Sequence, residues 1–113
     1  QIKMIQAELD ASNKQYEVRA LEVQQLVIQA YFDLINSQEL VRSRLRDYQT
    51  QASNLELARI ELLKGNIEMS QFAGFSNVAS NSESAYLNAK QQFYTSFYVF
   101  ETVVGVDINL LKR

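Results

Sequence analysis

Apolar residues recur along the first part of this chain at alternating steps of four and three. The series runs Val27, Tyr31, Leu34, Gln38, Val41, Leu45, Tyr48, Ala52, Leu55, Arg59, Leu62. Only Gln38 and Arg59 break it, and a pattern this regular predicts a heptad seam on one long helix. Upstream the seam continues through Ile5, Leu9, Ser12, Tyr16, Ala20 and Val23. Two places carry consecutive steps of four, Ser12–Tyr16–Ala20 and Val23–Val27–Tyr31, and these stutters predict local straightening of a left-handed supercoil. A second seam follows through Phe72, Phe75, Ala79, Ser82, Tyr86, Ala89, Phe93, Phe97, Phe100 and Val104.

Between the two seams lies Lys64-Gly65-Asn66-Ile67-Glu68. A lysine suits the negative end of a helix. A glycine suits the left-handed position just past that end. An asparagine suits the start of the next helix, with Glu68 in its first turn. The reading is one helix over about 1–64, a tight turn at 65–66, a second helix over about 67–104, and a tail at 105–113 that forms either a turn or a further helix start. At about 1.5 Å per residue the helices span roughly 95 Å and 60 Å. In antiparallel register Gly105 comes to lie near Leu26, and residues 1 to about 17 have no partner within the chain. The fold class expected is therefore all-α, a long antiparallel helical hairpin of coiled-coil type.

Composition supports this. The 113 residues include no Pro and only three Gly, so little interrupts a helix. Tyr94, Tyr98, Val99 and Val103 lie off the main seam. They predict either further helical neighbours or a lone hairpin with some exposed apolar surface. Charge is uneven: from Gly65 to Phe100 the only charged residues are Glu68, Glu83 and Lys90. The stretch 69–82 holds Ser70, Gln71, Ser76, Asn77, Ser80, Asn81 and Ser82 with no charge at all. Such a face fits close helix packing, the wall of a water-filled space, or a weakly specified surface. The opening Gln1-Ile2-Lys3-Met4 reads as the inside of a helix, and predicts a piece of a longer protein.

Candidate chemistry is sparse. There is no His and no Cys, which removes the usual general base, thiolate nucleophile and zinc ligands. Glu8, Asp10, Glu17, Glu22, Asp33, Glu39, Asp47, Glu56 and Glu61 are scattered, mostly beside Lys or Arg at helical spacing, as solvated pairs are. Arg42, Arg44 and Arg46 alternate along a helix, so they form no single patch. Net charge is −2, which offers no field for nucleic acid. No enzyme activity, cofactor or metal is expected.

Three segments in order carry a resemblance. Ala30-Tyr31-Phe32-Asp33-Leu34-Ile35, the turn Leu63-Lys64-Gly65-Asn66, and Tyr86-Leu87-Asn88-Ala89-Lys90-Gln91-Gln92-Phe93 with Gly105 beyond it resemble the TolC-like outer membrane efflux protein family. The resemblance implies a trimeric channel of Gram-negative bacteria, with a β-barrel in the outer membrane and a long α-helical barrel in the periplasm. This chain looks like one periplasmic hairpin of that barrel, of the second repeat or the first. Its implied partners are the neighbouring protomers of a homotrimer, a periplasmic adaptor protein and an inner-membrane transporter. The tip residues Lys64, Gly65, Asn66 and Ile67 would dock the adaptor, although a plain turn would use Gly and Asn as well. The chain departs from the family pattern at Leu62, Leu63, Asn66, Ile67 and Gln71, so gating links at the tip do not carry over. Two other readings remain: the helical hairpin of a periplasmic adaptor, and a coiled-coil scaffold.

Overall fold

The computed structural model describes residues 2–111. Two helices account for nearly all of them: α1, Ile2–Leu63, and α2, Met69–Leu111. There is no strand among the described residues, and none of their helices is long and apolar enough to cross a membrane. The chain is all-helical, with a turn over 64–68 between the two helices.

α2 runs on through Gly105, where the sequence reading ends it. Glycine in a helix interior costs about 1 kcal/mol relative to alanine, but it stops a helix only where the backbone turns left-handed. Gly65 is the only glycine with a positive φ, at 79°. Gly105 stays helical, and of the expected tail, Lys112 and Arg113 lie outside the described residues.

Packing divides the chain into two units. One comprises Ile35–Thr95, the turn and the arms on either side of it. Here α1 and α2 form an antiparallel hairpin. Its most buried residues are Ala58, Ala79 and Ala89, with Ser37 close behind. Around them Val41, Leu45, Tyr48, Leu55, Leu62, Phe72, Ser76, Ser82, Tyr86 and Phe93 are half-buried. The Tyr48 and Tyr86 rings stack at 6.0 Å, and Lys90 Nζ lies 5.3 Å from the Tyr86 ring centre. The other unit comprises Gln1–Leu34 and Ser96–Arg113. Val23 and Ala30 are buried in it, with Ala20, Val27, Leu34, Phe100 and Val103 half-buried. Tyr31 packs against Phe100 at 6.2 Å. Residues 2–19 of α1 are exposed throughout.

The seams lie mostly where expected, but Tyr31, Gln38, Ala52 and Arg59 on α1 and Phe75 and Phe97 on α2 give way by one residue. Gln38 and Arg59 are exposed and Tyr31 is 49 % exposed, while Ser37, Ala58 and Ala30 beside them are buried. On α2, Phe75 and Phe97 are exposed, and Ser76 and Ser96 turn inward. The cause is size. Helices approach most closely where the contact residues are small, and interaxial distance follows the side chains at the contact. Tyr31 keeps its ring at the margin, 49 % exposed and against Phe100. With Ala30 in place of Tyr31, the steps from Ala20 through Val23, Val27 and Ala30 to Leu34 alternate three and four, and the stutter expected at Val23–Val27–Tyr31 disappears. The stutter at Ser12–Tyr16–Ala20 falls where α1 is exposed.

Candidate functional site: the interhelical turn

The turn is a Schellman motif followed directly by a new helix start. Lys64 N–H still donates to Ile60 O at 3.0 Å. Gly65 N–H then donates to Leu62 O at 3.0 Å, and Asn66 N–H to Glu61 O at 2.9 Å. This pair of bonds closes a helix around a left-handed glycine and satisfies carbonyls the helix end would leave open. A β-carbon at Gly65 would meet nothing within 4 Å, so the demand for glycine is one of backbone conformation alone.

Asn66 does not cap α2, contrary to the sequence reading. It lies three residues past the end of α1, and its side-chain Nδ2 donates to Glu61 Oε2 at 2.7 Å. A hydrophobic contact often bridges these two positions in a Schellman motif, and here a polar bond replaces it. Lys64 Nζ also reaches Glu61, at 4.0 Å from Oε1. Glu61 thus holds both polar side chains of the predicted site.

Glu68 takes the capping position instead. Its carbonyl accepts from Phe72 N–H at 3.0 Å, and its own N–H donates to Gln71 Oε1 at 2.9 Å. This is the reciprocal half of a capping box, with the glutamine three residues into the helix reaching back. The pattern Glu68-x-x-Gln71 was legible as that half, but glutamate is a poor N-cap residue and Asn66 outranks it on preference. The turn therefore spans 64–68 rather than Gly65 and Asn66 alone.

The structure brings Lys64, Gly65, Asn66 and Ile67 together at one end of the hairpin. Lys64, Gly65 and Asn66 are exposed, and Ile67 is half-buried. Two neighbours that sequence reasoning left out stand beside them. Leu63 is 82 % exposed, more than any other large apolar side chain among the described residues, and Met69 is 68 % exposed. Fully burying either would contribute about 1.5–3 kcal/mol. Leu63 and Met69 thus stand exposed at the turn beside Lys64, Asn66 and Glu68.

Away from the turn the polar side chains of α2 divide. Ser76 and Ser82 are half-buried on the seam side, while Ser70, Gly74, Asn77, Asn81 and Ser84 make an uncharged exposed stripe at steps of four and three. A shallow groove of about 240 Å³ between Arg44, Asp47, Val78, Asn81, Ser82 and Ala85 is smaller than the usual small-molecule site. Comparison with protein-family models, characterised proteins and solved structures finds no match to this chain.

Proposed function

We propose that this chain is a periplasmic hairpin segment of a TolC-like outer membrane efflux channel, conducting substrate passively, with its turn as the docking point for an adaptor protein. In this reading the segment is part of an α-helical barrel built by a homotrimer, and it catalyses no reaction. The observation that carries the docking role is the turn itself. Its backbone N–H groups at Lys64, Gly65, Asn66, Glu68 and Phe72 are bonded within 60–72, yet it holds Leu63 and Met69 out in water. A helix-to-helix connection needs Gly65 but does not need two exposed large apolar side chains, and a partner surface gives them a place to be buried. The uncharged stripe from Ser70 to Ser84 suits a barrel wall, whether it borders the lumen or a neighbouring helix.

The test is cross-linking at Leu63, whose side chain makes no bond that the turn needs. Leu63→Cys is placed in the full-length parent protein in a Gram-negative cell, against a segment that has no cysteine of its own. A cross-link to a periplasmic adaptor is the expected product. Recovery of the protein in the cytoplasm with no such product would sink the efflux reading and favour a coiled-coil scaffold.

A further inference from the structure

The chain has no Cys, no Trp and no His, so the thioethers of Met4 and Met69 are its most readily oxidised groups. Both are open to solvent, at 70 % and 68 % exposed. Their settings differ. Met4 lies in the stretch 2–19 of α1, where every residue is exposed. Met69 is the first residue of α2 and shares the turn with exposed Leu63. The bonds that build the turn run through Lys64, Gly65, Asn66, Glu68, Gln71 and Phe72, and none involves the Met69 side chain. A change confined to that side chain can therefore alter the surface of the turn and leave its fold alone.

We propose that Met69 is an oxidative modification site, at which hydrogen peroxide converts the thioether to the sulfoxide and so weakens docking at the turn. The functional half of this rests on the docking reading above. Peroxide supplies the oxygen atom: an S–O bond forms, the O–O bond breaks, the sulfur gives up an electron pair, and the peroxide leaves as water. The product replaces a flexible apolar side chain with a polar one. In the free chain the new oxygen stays hydrated, because the position is exposed. On docking it has to be buried against a partner that meets Leu63 and Met69 as apolar groups, and a buried polar atom without a bond is unfavourable. Position makes the effect specific. Met4 takes up the same oxygen at the opposite end of α1, where docking does not sense it. The change is reversible, since methionine sulfoxide is reduced enzymatically.

Modification and consequence are read separately. Trypsin cleaves after Lys3, Lys14, Lys64 and Lys90, so the two methionines fall on separate peptides, 4–14 and 65–90. After peroxide treatment of the whole chain, mass spectrometry is expected to find one added oxygen on Met69, with helical circular dichroism and the urea midpoint unchanged. A Met69 that stays reduced while Met4 oxidises, or a lowered urea midpoint, overturns the proposal. Docking is read in cells carrying the full-length parent, as the yield of adaptor joined to Lys64 by an amine-reactive cross-linker after the peroxide is removed. Peroxide is expected to lower that yield about tenfold. Met69→Gln should lower it as far without peroxide, and in Met69→Leu the treated and untreated yields should agree. A yield that peroxide leaves unchanged sinks this proposal alone, as does an equal fall in Met69→Leu. No cross-link even before peroxide sinks the docking reading itself, and control of docking by Met69 falls with it.

Discussion

The two helices answer the same problem, a long rod in water, in different ways. α1 wears opposed charges one turn apart: Glu39 with Arg42 at 3.1 Å, Arg44 with Asp47 at 3.7 Å, Glu56 with Arg59 at 2.6 Å. All of these side chains remain largely exposed, so each pair is worth only about 0.2–0.5 kcal/mol, and their main effect is to keep that surface solvated. α2 uses hydroxyls that bond their own backbone. Ser82 Oγ donates to Val78 O at 3.0 Å, Thr95 Oγ1 to Gln91 O at 3.1 Å, and Thr102 Oγ1 to Tyr98 O at 2.9 Å. These groups are satisfied without water or a partner. A surface whose polar atoms are already bonded can be covered at little cost, whereas covering an ion pair means desolvating it. The exposed stripe of Ser70, Gly74, Asn77, Asn81 and Ser84 on α2 likewise carries no ion pair that covering it would have to desolvate.

The largest effect expected from breaking this arrangement lies where the helices touch. Ala89 is 3 % exposed, and Ala89→Glu puts an unpaired carboxylate between them. A loss of about 3–5 kcal/mol is expected, read as the collapse of the urea midpoint followed by circular dichroism. Next is Gly65→Ala. A side chain fits the space, but the left-handed backbone costs about 1–2 kcal/mol. Gly65→Asn should cost less than Gly65→Ala, and equal losses would show that the turn relaxes out of its left-handed geometry. Asn66→Ala removes the bond to Glu61 and should cost about 0.5–1.5 kcal/mol. If Asn66 capped α2 instead, Glu61→Ala would leave the effect of Asn66→Ala undiminished, so a double-mutant cycle decides between the two roles. The smallest effect sharpens the comparison most. Ser80→Glu adds a charge to the exposed face of α2 and should change the stability of the chain by less than about 0.5 kcal/mol. On the channel reading proposed above, export by the full-length protein should nevertheless fall if that face meets a neighbour, measured as the cells' susceptibility to the exported compound.

Much of the architecture was legible because helix periodicity and a lone Gly turn are local signals. Val27, Leu34, Val41, Tyr48, Leu55 and Leu62 on α1, and Phe72, Ala79, Tyr86, Phe93 and Phe100 on α2, fall on the inner faces at their expected places. Leu45, Ser82, Ala89 and Val104 also lie inward, but Tyr31, Phe75 and Phe97 were misread because hydrophobicity is a guide to what prefers burial, and not to how closely two backbones approach. Ala30 and Ala58 win their places over Tyr31 and Arg59 by being small. At the turn, Gly65 was readable from its backbone need. The role of Asn66 was not, since its side chain chooses between Glu61 behind it and the backbone ahead of it, and only the folded geometry decides. Leu63, named only as part of the turn motif, and Met69 stayed outside the predicted docking set because an apolar residue beside a seam reads as part of the seam.

The turn also has a kinetic consequence. Every bond that builds it joins residues within the short span 60–72, so little chain entropy is lost in forming it. The arms beside it can then zip outward, each new contact closing a loop only slightly longer than the last. A chain of this kind has its folding nucleus at the turn, where contacts are most local. Gly65→Ala is accordingly expected to slow refolding in stopped-flow experiments while leaving the unfolding rate nearly unchanged. Ala30→Gly, far along α1, is expected to do the opposite and chiefly speed unfolding.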